Sequence, residues 1–223
     1  MIALYVGSTD TYSGKTLTCL VLGTRWQREG KRVGFMKPLG LLPVPVGDEV
    51  TDEDALFVAR HLRIEARPSH LCPVILSPEL CHADCGDLGK RVREAYRAVS
   101  EGREVMLIGG LGSVLSRGST LRLDGPSVAE MLDARVLLVA RCDSFLVVDG
   151  VVAAYRALGD RLIGVILNRV AERQRKLIEG EVVPCLERQG IGVLGLLPDD
   201  PMLSSVTVRE IVEATGGELL CAD

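Results

Sequence analysis

Short apolar runs alternate along the chain with longer segments of mixed polarity. Six runs, at residues 2–6, 33–36, 105–108, 136–139, 162–167 and 192–196, are rich in Leu or β-branched residues. Such runs predict strands buried on both faces, as in a parallel sheet covered by helices. Between them lie helical patterns at 15–29, 88–100, 127–132, 146–158 and 173–189. The first ends at Gly30, a natural helix stop, and the pattern at 88–100 gathers Val92, Ala95, Tyr96 and Val99 on one face. Repeated strand–helix–strand order predicts an α/β fold with a doubly wound, mostly parallel sheet. Right-handed crossovers then bring the loops after the strands to one edge, where ligands bind. The stretch 39–54, with two Pro, two Gly and several acids, reads as a long loop, and 207–213 reads as a short helix.

Composition narrows the partners. The 223 residues are 47% hydrophobic and 25% charged, which suits a globular domain with a real core. A net charge of -4 gives no reason to expect nucleic acid or an anionic membrane, and 4% aromatics leaves little for base stacking. The opening MIALYVGS has no basic segment before an apolar core, and no apolar run reaches the ~18 residues that span a bilayer. The expectation is a cytoplasmic chain whose seven cysteines are reduced. Cys72, Cys81 and Cys85, with His70 and His82, lack the paired spacing of a zinc framework and read as an irregular segment. Cys19, Cys142, Cys185 and Cys221 lie beside apolar runs and read as small core residues.

The strongest chemical signal is GSTDTYSGKT at 7–16, which follows an apolar strand and opens a helix. A triphosphate needs backbone N–H groups aimed at its oxygens, and a strand–turn–helix with Gly at its close approach supplies them. In that reading Thr11, Tyr12, Ser13, Gly14, Lys15, Thr16 and Leu17 bind the nucleotide. Lys15 reaches the β- and γ-phosphates, and Thr16 offers its hydroxyl to Mg²⁺. Thr9 stands where the general pattern has its first Gly. The competing reading is a chance Gly-Lys-Thr, which the strand before and the helix after disfavour.

This loop and several motifs downstream of it resemble dethiobiotin synthetase and its relatives among P-loop NTPases. STDTYSGKT at 8–16 is similar to that family's Gly-Thr-Asp-Thr-x-x-Gly-Lys-Thr, with Ser8 in the first Gly position. Lys37-Pro38, the Asp54-Ala55-Leu56 segment, Asn168-Arg169-Val170 and Gly195-Leu196-Leu197-Pro198 resemble further family motifs. The runs GDRLIGVILNRV and VVPCLERQGIGVLGLLPDDPMLSSVTVREIVEATGGELL resemble the corresponding domain at the front of some phosphate acetyltransferases. That domain also occurs in shorter proteins beside a regulatory DRTGG domain. The resemblance implies ATP with Mg²⁺ as ligands. Thr11 and Lys15 contact phosphates, Lys37 neutralises charge near the γ-phosphate, and Thr16 and Asp54 hold the metal. Asn168 hydrogen-bonds the adenine edge, the Leu197-Pro198-Asp199 turn closes over the base, and Asn168, Arg169 and Pro198 count among the nucleotide-binding residues. It also implies a homodimer, a nucleotide-binding domain at 1–206, and a segment at 207–223 that begins a further regulatory or catalytic domain.

Two departures change the expectation. Where the synthetase has a metal-binding Glu after its third core strand, this chain has Gly109, at the head of a Gly-Gly-Leu-Gly-Ser segment that reads either as a tight turn or, favoured by its place after a core strand, as backbone brought to the ligand. Losing a carboxylate weakens the hold on a hard cation and slows phosphoryl transfer. After Lys37-Pro38 the stretch Leu39-Gly40-Leu41-Leu42-Pro43 is apolar, where the synthetase is small and polar. A nucleotide-sensing regulatory domain with weak or absent turnover is therefore expected first. An ATP-dependent ligase acting on a small carboxylic acid or amine, with Lys15 and Lys37 catalytic, is expected second. A partitioning-type ATPase fits less well, because Thr9 and Asp10 stand where that class has an extra Lys. Among the acids, Asp54 is favoured over Asp52 as a metal ligand. Asp143 reads as a helix cap, and Asp149 as a helix or dimer-interface residue.

Overall fold

Alternation decides how the first strand is buried. In β1 (Ile2–Ser8), Ala3 and Tyr5 enter one hydrophobic core while Leu4 and Val6 enter a second. Successive side chains of a strand point to opposite faces, so a strand apolar at every position needs a helical layer on each side. The same division holds in β7 (Val105–Gly109), where Met106 and Ile108 face one core and Leu107 the other. It holds again in β8 (Arg135–Arg141), with Val136, Leu138 and Ala140 against Leu137 and Val139. The structure is a computed structural model and describes residues 1–78, 80, 85–205 and 208–220.

Six strands form one wholly parallel sheet in the order β10-β9-β8-β1-β7-β2, with β2 at Val33–Met36, β9 at Leu162–Val170 and β10 at Val193–Pro198. All six predicted strands are present, and the expected α/β doubly wound architecture is the observed one. The chain leaves β1 toward β2 on one side and later crosses to β8 on the other. That reversal puts a crevice at the carboxyl ends of the central strands.

One face is covered by α1 (Lys15–Arg28), α2 (Glu53–His61) and α3 (Pro68–Leu71). The other is covered by α4 (Cys85–Ser100), α5 (Gly125–Met131), α6 (Val147–Leu158) and a helical stretch before β10. In that stretch α7 (Arg175–Leu177) passes into a π-helical turn, Ile178–Val182, before α8 (Val183–Arg188). The single helix expected over 173–189 is therefore interrupted. Pro184 has no N–H for the bond to residue 180 and its ring crowds that carbonyl, so the preceding turn widens.

The stretch 39–54 differs from the long loop expected. Leu39–Gly40 forms β3, which pairs in parallel with β6 (Val74–Ile75), and β4 (Pro43–Val46) makes an antiparallel hairpin with β5 (Glu49–Asp52). Gly47 at φ 61 opens its two-residue turn, a conformation that favours glycine. Pro43 and Pro45 alternate along β4, so one side of the strand dispenses with N–H donors. Asp52 ends the hairpin and starts α2 by accepting a hydrogen bond from Ala55 N.

Cys19, Cys72 and Cys142 are buried and unpaired, and Cys185 is half-buried. After β10 comes the short α9 (Pro201–Ser204). Cys81, His82 and Cys221 lie outside the described residues, as does Thr207 at the start of the last predicted helix, which is seen as α10 from Val208 to Thr215. Among the described residues, no three His, Cys, Asp or Glu gather as a metal cluster, and no helix is long and apolar enough to cross a membrane.

The two helices beside the phosphate loop meet at a glycine. A Cβ on Gly23 of α1 would stand 2.5 Å from Leu62 Cδ1 and 3.2 Å from Leu107 Cδ1. Gly23→Val should therefore separate α1 from α2 and cost about 1–3 kcal/mol. Urea unfolding checks this, and an unchanged midpoint would show that the contact yields freely.

Candidate functional site

The phosphate loop joins the end of β1 to α1 through two left-handed residues, Tyr12 at φ 55 and Gly14 at φ 101. Gly14 is required twice over. Its φ lies where a side chain is strained, and a Cβ there would stand 2.4 Å from Asn168 Nδ2. Gly14 is also the N-cap of α1, with no side chain capping the helix and no acid in its first turn. The first N–H groups of a helix lack partners within it, and the dipole places positive charge there. The start of α1 is thus arranged for an anion.

Lys15 lies over this loop. Its Nζ donates to Ser8 Oγ at 2.8 Å and reaches Asp10 O at 3.5 Å. Ser8 is buried and also bonds to Gly112 O at 2.8 Å, while Ser13 Oγ donates to Asp10 O at 2.9 Å. Burial, and secondarily the charge of Lys37, push the Lys15 ammonium down to about 8. A cation held that far below its ordinary value gains from any anion brought beside it.

Lys37 follows β2 and is buried. Its Nζ donates to Asp52 Oδ1 at 2.6 Å and to Asp54 Oδ2 at 2.8 Å. Burial disfavours its charge, but Asp52 and then Asp54 outweigh that, so its pKa is raised. Asp54, with a side chain 46% exposed, brings Oδ1 to 3.5 Å from Thr16 Oγ1. One hydroxyl and one carboxylate at the start of α1 fit Mg²⁺, which takes one or two carboxylates and fills its remaining positions with water and phosphate oxygens. Asp52 does not suit that role. It is fully buried, and Oδ2 already accepts from Leu41 N and Leu42 N.

These groups border one cleft of about 630 Å³ at the carboxyl edge of the sheet. Thr11, Tyr12, Ser13, Gly14, Lys15, Thr16 and Leu17 line its floor. Lys37, Asp54, Asn168, Arg169 and Pro198 line its sides. The cleft thus brings together the residues that the sequence suggests for phosphate, metal and base, except Leu197, which does not line it. Gly110, Leu111 and Gly112, with Leu41, Leu42, Asp199, Asp200 and Leu203, complete the wall. Asp200 and Leu203 are not among the site residues that the sequence singles out, and the turn after β10 brings them in.

Asn168 also serves the loop itself. Its Nδ2 donates to Ser13 O at 2.9 Å, and its Oδ1 accepts from Arg169 N at 2.9 Å. The amide braces the loop from the end of β9, leaving one N–H and one lone pair beyond those bonds. Arg169, left-handed at φ 61, pairs with Asp199 at 3.1 Å and ties the ends of β9 and β10 together. Asp143 is not the cap of α6. It pairs with Arg141 at 2.6 Å, and Leu146, without a side-chain cap, takes the N-cap position. Asp149 lies in the first turn of α6.

Comparison with known proteins accords with this geometry. The profile of the AAA domain matches residues 3–207. The chain belongs to the AAA domain family. This P-loop domain is related to dethiobiotin synthetase and to part of phosphate acetyltransferase. The phosphate acetyltransferase of Synechocystis sp. is 24% identical across 98% of this chain and 32% of its own length. That of Pseudomonas putida is 26% identical across 100% of this chain and 33% of its own length. The chain therefore spans about a third of those relatives. The ATP-dependent dethiobiotin synthetase of Methanococcus vannielii is 24% identical across 88% of this chain and 93% of its own length. Among solved structures, the MinD cell division protein of Aquifex aeolicus superposes with a TM-score of 0.54 at 16% identity, over 92% of this chain and 85% of its own. That likeness is one of fold.

Gly109 ends β7 opposite Val6, and a Cβ there would meet the Phe35 ring at 3.3 Å. The space that a longer side chain needs is held by the aromatic ring. Gly109→Glu should cost about 1–3 kcal/mol by overpacking, and Phe35→Leu in the same chain should return part of it. Chemical unfolding of the single and double variants checks this. Equal stability of Gly109→Glu and the parent would contradict the tight fit.

Proposed function

We propose that this domain binds ATP with Mg²⁺ in the cleft and serves as a nucleotide-sensing regulatory module with weak or absent turnover. The observation that carries the binding reading is the uncapped start of α1, with Lys15, Thr16, Lys37 and Asp54 converging on it. Phosphates against those N–H groups exchange water for fixed donors and two cations. Thr16 and Asp54 hold the metal, which when bound offsets phosphate charge. The regulatory reading draws on Gly109, packed by Phe35, and on Leu41 and Leu42, which give the cleft an apolar wall beside Lys37. The second reading, an ATP-dependent ligase acting on a small acid or amine, is favoured by Lys37 and Asp54 in the same cleft. It draws too on the match over almost the whole length of a dethiobiotin synthetase.

Calorimetric titration with ATP and Mg²⁺ tests binding, and ADP release from the same sample separates the two readings. Binding with negligible release supports the regulatory module, and release stimulated by one small acid or amine selects the ligase. Lys15→Ala should weaken triphosphate binding at least about tenfold, since charge-assisted bonds are worth about 1.5–3 kcal/mol each. An unaltered dissociation constant would remove Lys15 from the site.

The pH dependence follows from the same residue. Lys15 is largely protonated below about pH 8 in the free protein, and a bound triphosphate favours the protonated form. Above about 8 binding draws in a proton, so affinity falls as pH rises, approaching about tenfold per unit. Titrations in buffers of different ionisation enthalpy should show proton uptake at about pH 9 and little at about pH 7. Proton release at the higher pH would contradict this environment for Lys15.

A further inference from the structure

Asp52 is buried beside the cleft without lining it, and one carboxylate gathers four donors. Oδ1 accepts from Lys37 Nζ at 2.6 Å and from Ala55 N at 3.2 Å, and Oδ2 accepts from Leu41 N at 2.9 Å and Leu42 N at 3.1 Å. That fills the four acceptor sites of a carboxylate. The donors belong to three parts of the molecule: the cation after β2, the apolar wall of the cleft, and the first turn of α2.

The two carboxylates on Lys37 differ in kind. Asp54 is 46% exposed and has its other oxygen near Thr16, so a ligand or cation in the cleft can draw it away. Asp52 is wholly enclosed and tied to backbone. An ammonium has three donors, and two are spent on these acids. Among the described residues no other acceptor holds the third, which is left for a group in the cleft that Lys37 lines.

We propose that Asp52 is a positioning residue: it anchors Lys37 at the phosphate end of the cleft and links that cation to the backbone of Leu41 and Leu42. The proposal rests on the nucleotide-binding reading and gives it an output. A phosphate held by Lys37 tightens the Lys37–Asp52 bond against opening, and the two amides on the same carboxylate are held with it. Occupation of the phosphate site is thereby reported at the cleft wall and at the hairpin between β4 and β5. By reciprocity, whatever orders Leu41 and Leu42 strengthens binding of the phosphate that Lys37 meets.

Hydrogen exchange of the Leu41 and Leu42 amides, with and without ATP and Mg²⁺, tests this beside calorimetry of ATP and ADP. ATP should slow exchange at both amides in the parent protein, and ADP should slow it less. Asp52→Asn keeps a capping oxygen at the start of α2 but removes the charge that anchors Lys37. It should lower ATP affinity about tenfold and ADP affinity much less, and abolish the slowing. If that variant fails to fold, Lys37→Met with Asp52→Asn removes both buried charges together, a change that folded proteins commonly tolerate. The double variant should bind nucleotide through Lys15 with no effect on Leu41 and Leu42. Slowing that persists in either variant overturns the proposal, as does ATP binding in the parent that leaves both amides unchanged. Absence of any ATP or ADP binding by the parent overturns the nucleotide reading itself, a result distinct from binding without coupling.

Discussion

The central position of β1, hydrogen-bonded in parallel to β7 on one side and β8 on the other, is the constraint on which the rest depends. Two ladders fix where its last residues point, and parallel pairing sends the loops after β2, β7 and β9 to the same edge. The phosphate loop therefore does not search for its neighbours. Ser8 finds Gly112, Gly14 finds Asn168, and Thr16 finds Asp54 because the strands and helices that carry them are already in register. The two hydrophobic cores hold that register from either face.

Within this frame the electrostatics are uneven. Two lysines border one cleft, each by burial a poor place for a charge. Lys37 is compensated by two carboxylates and stays a cation, whereas Lys15 has a hydroxyl and a carbonyl and is held near its titration point. The cleft is thus prepared asymmetrically for an anion. One cation is set in place by the protein, and the other is completed by the ligand. On the proposed nucleotide-binding reading, the cost of leaving Lys15 under-compensated is recovered when phosphate binds, which makes the energy available for selectivity.

The parts legible in the sequence were those with local physical signatures. A doubly buried strand must be apolar at every position, and an anion-binding turn must have Gly where Gly14 stands, so both show in a single stretch of chain. The hairpin did not show, because Pro43 and Pro45 are poor strand formers that only an unpaired edge accommodates. The stretch around residue 50 reads as a long loop, and charge usually stays in water, yet Asp52 is fully enclosed. A signal for it existed: an Asp directly before the run Glu53-Asp54-Ala55-Leu56 stands where a helix wants its cap, and a cap is often buried by what it caps. The Asn168 brace was beyond local reading, since its partner lies 155 residues away.

That distance bears on the order in which the molecule is made. During synthesis the motif GSTDTYSGKT is complete well before its partners are, and the carbonyl of Ser13 has no Asn168 to accept from until β9, the fifth strand of the sheet in chain order, has been made. The flanking strands of β1 likewise arrive only with residues 105 and 135. Domains tend to fold as units once their chain is available. The loop is thus made well before the cleft that it borders, and on the proposed nucleotide-binding reading a ligand stabilises the domain only after β9 is in place.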